Sequence, residues 1–358
     1  MVKDRAQKLS GLLDEHSLDG ILITHRPNLR YLCGFSGTDG ALLVGRGETV
    51  FLTDSRYTEQ ARTEVTADRR VEYSAKLEGI VRQAKESGMG KVGFEADTLP
   101  FATVEKLREE GGKELEWHPL SKPLHKLRCH KDACEIEILE QAADLAATAF
   151  EEILPLIRPG AVERDVALAL EFAMKRRGAE EKSFDFIVAS GERGALPHGV
   201  ASDKPIRAGE LVTIDFGARW RGYHSDETIT LAVGPVGGEL RDIYGIVLEA
   251  HDRAMHQVRP GIPLKELDRI AREFIASQGY GQYFGHGLGH GVGLEVHESP
   301  TVSTRSEDVA EAGMVITIEP GIYIPGRGGV RIEDTVLITE NGFRKITRLA
   351  KDFLTVPG

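Results

Sequence analysis

An internal repeat limits the fold of this chain more than any other feature. AGELVTIDFGA at 208–218 aligns without gaps to AGMVITIEPGI at 312–322. Earlier in each copy, RPGAVERDVA at 158–167 resembles RPGIPLKELD at 259–268. In both halves a helix is expected to end at RPG, and a second amphipathic helix to follow and stop at a glycine, Gly178 or Gly279. A glycine-rich segment and a strand come next. The unit is therefore helix, helix, loop and β-hairpin, about 100 residues long, which is too long for a solenoid repeat. Two copies predict one domain of pseudo-twofold symmetry, with two hairpin sheets at the centre and helices outside.

The repeat also puts acids at matched positions. Asp215 in VTID aligns with Glu319 in ITIE, each at the end of an apolar, β-branched run. A return strand follows each, SDETITL at 225–231 and IEDTVLI at 332–338, aligning Asp226 with Glu333 and Thr228 with Thr335. Each hairpin thus offers one carboxylate per strand, and symmetry brings the hairpins together. Four carboxylates on an apolar centre repel one another and resist ionisation. Two divalent cations would balance them, and paired ions of this kind sit about 3.5–4 Å apart and polarise a bridging water. Any one of these acids could be an exposed strand-end residue in a salt bridge. Four at repeat-equivalent positions argue for a shared cation site, because unpaired buried charge is costly.

GHGLGHGVGLEVHE at 285–298 lies just upstream of the Glu319 strand and carries three histidines, His286, His290 and His297, among five glycines. Its composition suits neither a helix nor a packed core. His290 is read as the fifth metal ligand, and a carboxylate-rich site with one imidazole suits manganese first, with cobalt, zinc or iron as alternatives. A phosphate cradle is excluded, since the stretch does not follow G-x-G-x-x-G and no Lys-Ser/Thr pair follows it. The glycines are expected to let the backbone approach a substrate closely. His198 in ALPHGV precedes the Asp215 strand as 285–298 precedes the Glu319 strand, so it is expected to face the same cavity.

Residues 1–122 read differently. ILIT (21–24), ALLV (41–44), VFLT (50–53) and KVGF (91–94) are expected strands, and 57–65 and 100–110 expected helices, giving a small α/β domain without a cluster of ligand-type residues. HPLSKPLHKLRCHKDACE at 118–135 reads as a linker into a long helix from about Lys131 to Ile157, so the second domain is taken as 123–358 and the whole chain as α+β. With 45 Lys and Arg against 56 Asp and Glu the net charge is −11, which argues against nucleic-acid binding. Three cysteines, Cys33, Cys129 and Cys134, make no disulfide framework, and without a CxxC pair no zinc finger. The charged N-terminal helix is unlike a signal peptide, and no run of about 18 apolar residues predicts a membrane span, so the cytoplasm is the expected location.

PHGV, VTIDFG, SDET, GHGLGHGVGLEVHE, TIEPGIY and VRIEDT occur in the order found in the pita-bread metallopeptidases, and the chain resembles their Xaa-Pro peptidase subgroup, aminopeptidase P and prolidase. RYLCGFSG (30–37) and TDSRY (53–57) extend the resemblance into the N-terminal, creatinase-type domain. The resemblance implies Asp215, Asp226, His290, Glu319 and Glu333 as ligands of two metal ions, Asp226 and Glu333 bridging both. It implies His198, His286 and His297 as histidines that hold substrate and the tetrahedral intermediate, and Glu319 as an aid in activating the water. Arg331 and Thr228 would support the metal-binding acids. The implied reaction is attack of a metal-bridging hydroxide on the carbonyl before proline, at the N-terminus of a peptide, with a homodimer as the implied assembly.

Two positions depart from this pattern. Ile229 stands where many relatives have Arg, and Thr301 stands where archaeal-type prolidases often carry an Arg that holds a dipeptide carboxylate. Losing that bidentate contact favours longer Xaa-Pro peptides over dipeptides. A methionine aminopeptidase and a metal-free creatinase-like hydrolase or binding protein are rivals on the same fold. Activity on Met-Ala against Ala-Pro peptides separates the first, and the full set of ligand-type residues speaks against the second.

Overall fold

The computed structural model describes residues 2–358. The chain divides into two compact units between Leu127 and Arg128. The first unit is built on a six-stranded sheet in the order β4-β3-β2-β1-β5-β6, with β1 Gly20–Ile23, β2 Ala41–Gly45, β3 Thr49–Thr53, β4 Arg69–Glu72, β5 Lys91–Glu95 and β6 Glu116–Leu120. β1 to β3 pair antiparallel, while β3–β4, β1–β5 and β5–β6 are parallel. The four expected strands are the inner ones, where apolar runs are buried on both faces. Neither edge strand was expected. β4 reads RRVE and β6 reads EWHPL, and charges and proline are what an edge with one unpaired side tolerates. Residues 118–120, read as linker, are therefore strand. Helices α1 Val2–Glu15, α2 Arg26–Cys33, α3 Thr58–Glu64, α4 Lys76–Glu86 and α5 Phe101–Gly111 complete the unit, and the short helix α6 Lys122–His125 follows β6. Leu22, Leu43, Leu52, Val92 and Trp117 are among its buried core.

The second unit shows the repeat as two copies of helix, helix, sheet. In the first copy α7 (Ala133–Ile153) and α8 (Glu163–Arg176) precede β7 (Glu181–Lys182), β8 (Ile187–Ser190), β9 (Glu210–Phe216), β10 (Ala218–Trp220), β11 (Tyr223–His224) and β12 (Glu227–Val233). In the second, α9 (Gly238–Met255) and α10 (Leu264–Ser277) precede β13 (Gly289–Gly291), β14 (Glu298–Val302), β15 (Val315–Ile318), β16 (Gly321–Ile324), β17 (Gly328–Arg331), β18 (Asp334–Thr339) and β19 (Gly342–Lys345). β20 (Thr355–Val356) joins the first sheet, which runs β20-β12-β9-β8, while the second runs β14-β13-β15-β18-β19. One apolar core packs α7 and α8 with β9 and β12, and another packs α9 and α10 with β15 and β18.

Local chemistry sets the helix ends. α7 starts at Ala133, not Lys131, because Asp132 caps it: its carboxylate accepts from Cys134 N and Glu135 N, and Glu135 accepts from Asp132 N. The helix ends at Ile153 rather than Ile157, since Pro155 lacks an N–H and the chain tightens into a 3₁₀ turn over Leu154–Leu156. The two RPG segments are turns beyond the helix ends, and Gly160 and Gly261 both sit at φ +86°. That left-handed backbone suits glycine.

The hairpins are equivalent but not identical. Thr213 on β9 faces Thr230 on β12, whereas its counterpart Thr317 on β15 faces Thr335, the counterpart of Thr228. The second hairpin is thus shifted by two residues, and because side chains alternate with period two, the acids keep the same face. Among the described residues no helix is long and apolar enough to cross a membrane.

Candidate metal centre

Where the hairpins meet, the second unit encloses a cavity of about 340 Å³. Asp215, Asp226, His290, Glu319 and Glu333 line it, together with His198, His286, His297 and Arg331. Thr228, the remaining residue singled out from the sequence, lies behind this wall and donates from Oγ1 to Glu333 Oε2 at 2.7 Å. The hairpin geometry explains the convergence. Asp215 lies at the end of β9 and Asp226 immediately before β12, while Glu319 follows β15 and Glu333 precedes β18.

Asp226, His290 and Glu333 each present one atom within 4.8 Å of the others. His290 Nε2 lies 3.2 Å from Glu319 Oε1 and 3.6 Å from Asp226 Oδ2. Its Nδ1 bonds the Gly291 carbonyl at 3.1 Å, which turns Nε2 toward the acids and fixes the ring. Thr317 Oγ1 accepts from His290 N at 3.0 Å and donates to Glu319 Oε1 at 3.1 Å.

The two halves are cross-tied here. Thr228 reaches Glu333 of the other hairpin, and its counterpart Thr335 donates to the Asp226 carbonyl at 2.7 Å. Arg331 spans both: Nη2 donates to Asp215 Oδ2 at 2.6 Å, Nε to Thr228 Oγ1 at 3.2 Å, and Nη1 to the Pro197 carbonyl at 3.1 Å and the Tyr323 hydroxyl at 3.0 Å.

Burial governs the titration of these groups. Removal from water raises the pKa of Asp226, Glu333 and Asp215, and neighbouring carboxylates add to the effect. Burial also opposes ionisation of Glu319, yet the hydrogen bond and charge of His290 prevail and hold it at about 2. His290 is raised in turn, because Glu319 outweighs the burial that would lower it. Even so, Asp215 Oδ1 and Glu333 Oε1 are buried without a hydrogen-bond partner. Buried carboxylate oxygens left open beside an imidazole are a donor set that fits divalent cations.

The other histidines differ in setting. His286 Nδ1 bonds the Gly287 carbonyl at 2.8 Å, and its Nε2 lies 2.8 Å from the Tyr323 hydroxyl. Burial lowers its pKa, so the ring is neutral at pH 7 and Nε2 accepts from Tyr323, which itself accepts from Arg331. His297 is exposed, with its ring 4.2 Å from that of His290; partial burial and then the His290 charge lower its pKa. His198 is exposed, just beyond the 3₁₀ turn Gly191–Ala195. Tyr323 was missed from sequence although TIEPGIY was noticed, since nothing in a lone Tyr on a strand marks it as a hydrogen-bond relay. Thr335 was legible only through the repeat, as the counterpart of Thr228, and Thr317 was missed.

For Gly289 and Gly291 the reading of the glycines needs correction, while Gly285 has open space beside it. A Cβ on Gly289 would run into the Thr317 carbonyl, and one on Gly291 into the Ser299 carbonyl. These glycines seat β13 between its neighbouring strands, so the close approach they allow is to the protein's own backbone. The stretch also does pack in a core, through the buried Leu288 and Val292. Of the two departures, Ile229 is a buried core residue, and Thr301 is an exposed β14 residue paired across the ladder with His290.

Known proteins resemble this chain over nearly its whole length. Residues 137–340 match metallopeptidase family M24, and residues 5–130 match the creatinase/prolidase N-terminal domain. A curated Xaa-Pro dipeptidase of Pyrococcus horikoshii is 43% identical over 99% of this chain and 99% of its own. Among solved structures, an Xaa-Pro dipeptidase from Bacillus anthracis superposes with a TM-score of 0.96 at 44% identity, covering 99% of this chain and 100% of that one. An X-Pro aminopeptidase from Thermotoga maritima superposes at 0.90 with 36% identity, covering 98% and 100%.

Proposed function

The chain belongs to metallopeptidase family M24 and is a metal-dependent hydrolase, and on that premise we propose that it cleaves the bond before proline at the N-terminus of peptides, using two divalent ions. The observation that carries this reading is the convergence of four carboxylates and one imidazole on one cavity, with buried carboxylate oxygens left open. Asp215, Asp226, His290, Glu319 and Glu333 would hold the ions. Manganese is the ion proposed first, with cobalt, zinc or iron as alternatives. Such ions supply Lewis acidity and a nucleophilic water at neutral pH.

The chain's own residues then divide the remaining work. Glu319 accepts the water's proton, and Glu319 or a nearby histidine returns one to the proline nitrogen, which must be protonated to leave as an amine. His198 and His297, at the exposed side of the cavity, hold the substrate. His286, whose ring nitrogens are taken by the Gly287 carbonyl and the Tyr323 hydroxyl, offers its ring as a fixed wall for the substrate, and His297 also steadies the tetrahedral intermediate. Tyr323→Phe therefore leaves His286 Nε2 without its donor. It is expected to lower kcat/KM about tenfold, the worth of one hydrogen bond of this kind, without loss of metal. Unchanged kcat/KM with full metal content would show the bond to be idle.

Chain length is the finer question. Among the described residues that line the cavity, Arg331 is the only Lys or Arg, and its guanidinium is committed to Asp215, Tyr323, Thr228 and Pro197. A dipeptide's carboxylate meets no free cation there. This favours an aminopeptidase acting on longer peptides, and Ala-Pro-Ala is expected to be cleaved with kcat/KM at least about tenfold above Ala-Pro. The second reading, an Xaa-Pro dipeptidase, is favoured by the Pyrococcus and Bacillus relatives of that name. A preference for Ala-Pro in side-by-side assays under manganese titration would establish it instead. A cytoplasmic homodimer completes the proposal.

A further inference from the structure

We propose that Asp268 and Arg272, one turn apart on α10, are positioning residues that fix the backbone of the His286 segment; the inference rests on the role proposed for His286. GHGLGH has little of its own to hold it. Its glycines make the unfolded segment highly flexible, so ordering it costs more than for other residues. The backbone partners of residues 284–288 include a single helical ion pair. Arg272 Nη1 donates to the Phe284 carbonyl at 2.8 Å and Nη2 to the His286 carbonyl at 2.6 Å. The same guanidinium lies 4.2 Å from the Phe284 ring centre. Asp268 is fully buried; it receives Arg272 Nε at 2.8 Å and Nη2 at 2.9 Å, and its Oδ2 also receives Leu288 N at 2.9 Å. Alternate residues 284, 286 and 288 are thus gripped by one carboxylate and guanidinium, with a glycine between each pair.

The pattern repeats in the first half. Glu163, fully buried at the start of α8, accepts from Ser190 N and Oγ at 2.8 Å each, from Ser202 Oγ at 2.7 Å, and from Arg193. Arg193 also donates to the Val200 carbonyl at 2.8 Å. These contacts flank His198. Each of these two histidine segments is therefore tied down by a buried acid on the second helix of its own repeat. The metal ligands beside His286 have a further support in Thr317, which bonds both His290 and Glu319, and the tie from Glu319 N to the Leu288 carbonyl at 2.8 Å lies at the end of the segment held by Asp268 rather than by Arg272. Loosening the Arg272 grip should then disturb His286 and leave metal binding intact.

The test compares wild type, Arg272→Ala, His286→Ala and the double variant, each with its manganese content measured. Arg272→Ala is expected to lower kcat/KM about 10- to 100-fold at unchanged metal content, the scale of a small misplacement of a catalytic group. In the His286→Ala background the same change should cost less than about twofold, because both substitutions remove the same contribution. Hydrogen exchange of peptides covering 284–288, followed by mass spectrometry on metal-free protein, should quicken at least about tenfold while the β15 and β18 peptides stay protected. If Arg272→Ala does not fold, Arg272→Lys carries the test. It keeps a charge against Asp268 but lacks the planar fork, so the same non-additivity and a smaller rise in exchange are expected. Losses that multiply in the double variant, or unchanged exchange over 284–288, would overturn the proposal. If the wild type cleaves no Xaa-Pro peptide, the proposed function falls, and the exchange measurement still decides whether the clamp exists.

Discussion

Glu333→Gln is expected to reduce kcat/KM on Xaa-Pro peptides by more than about 1,000-fold and to lower the bound metal per chain. Even groups that only orient metal ligands are worth about 10- to 100-fold, so a residue offering oxygens directly to the ions should exceed that. Glu333 is buried, one of its oxygens receives only Thr228, and the other has no partner in the protein. A glutamine of the same shape keeps the Thr228 contact but cannot neutralise cations. The fold should survive, because in the metal-free protein the change removes a carboxylate whose ionisation is opposed by burial and by Glu319 and Asp215. Metal analysis and steady-state rates on the purified variant check this. Retention of activity within tenfold would remove Glu333 from the proposed site.

Stripping the metal with a chelator should abolish activity, manganese or cobalt should restore it, and the stabilisation gained on reloading should be larger at pH 8 than at pH 5. Protons and cations compete for the same oxygens. Because the folded pKa values of Asp226, Glu333 and Asp215 are raised, the metal-free folded state keeps protons that the unfolded chain releases from about pH 4 upward. The stability these groups contribute is complete below about pH 4 and is lost as pH rises toward their folded values. Glu319 runs the other way; held at about 2, its contribution is present above about 4.5 and fades only as pH falls toward 2. His286 and His297, both lowered, also favour higher pH, with contributions complete above about 6.5. Comparing metal-free Glu333→Gln with metal-free wild type removes the titration of Glu333 and lessens the upward shift of Asp226, and both changes act in the same direction. The difference in melting temperature should move in the variant's favour from pH 5 to pH 8. A constant difference would mean that Glu333 does not titrate abnormally, and an equal metal effect at both pH values would mean that protons do not compete with the ions.

What the sequence revealed follows from what repeats. Asp215 and Glu319, or Asp226 and Glu333, stand out because a duplicated pattern doubles the signal of each acid, and the β-branched runs before Asp215 and Glu319 mark buried strands. Asp268 and Arg272 were invisible for the opposite reason. An Asp and an Arg four apart on an amphipathic helix read as an ordinary exposed pair, and only packing against 284–288 buries the acid. Tyr323 was inconspicuous in the same way. The edge strands β4 and β6 were missed because polar edge sequences carry little alternation. The glycines of 285–293 were noticed, but whether the space they leave is filled by substrate or by Thr317 and Ser299 depends on strand order, which local sequence does not encode.

The cross-ties between the hairpins bear on when this chain becomes an enzyme. Thr228 and Glu333 are 105 residues apart, and Arg331 and Asp215 are 116. Each half packs its own helices on its own hairpin, while the first sheet takes β20 from the far end of the chain and the centre is completed by these distant ties, which are slow to form because a long loop must close first. During synthesis the first half emerges with Asp215, Asp226 and His198, while His290, Glu319 and Glu333 follow later. On the proposed assignment of the metal ligands, a nascent or truncated chain is expected to be inert toward the peptides around it, and hydrolytic competence to arrive with the docking of the second hairpin.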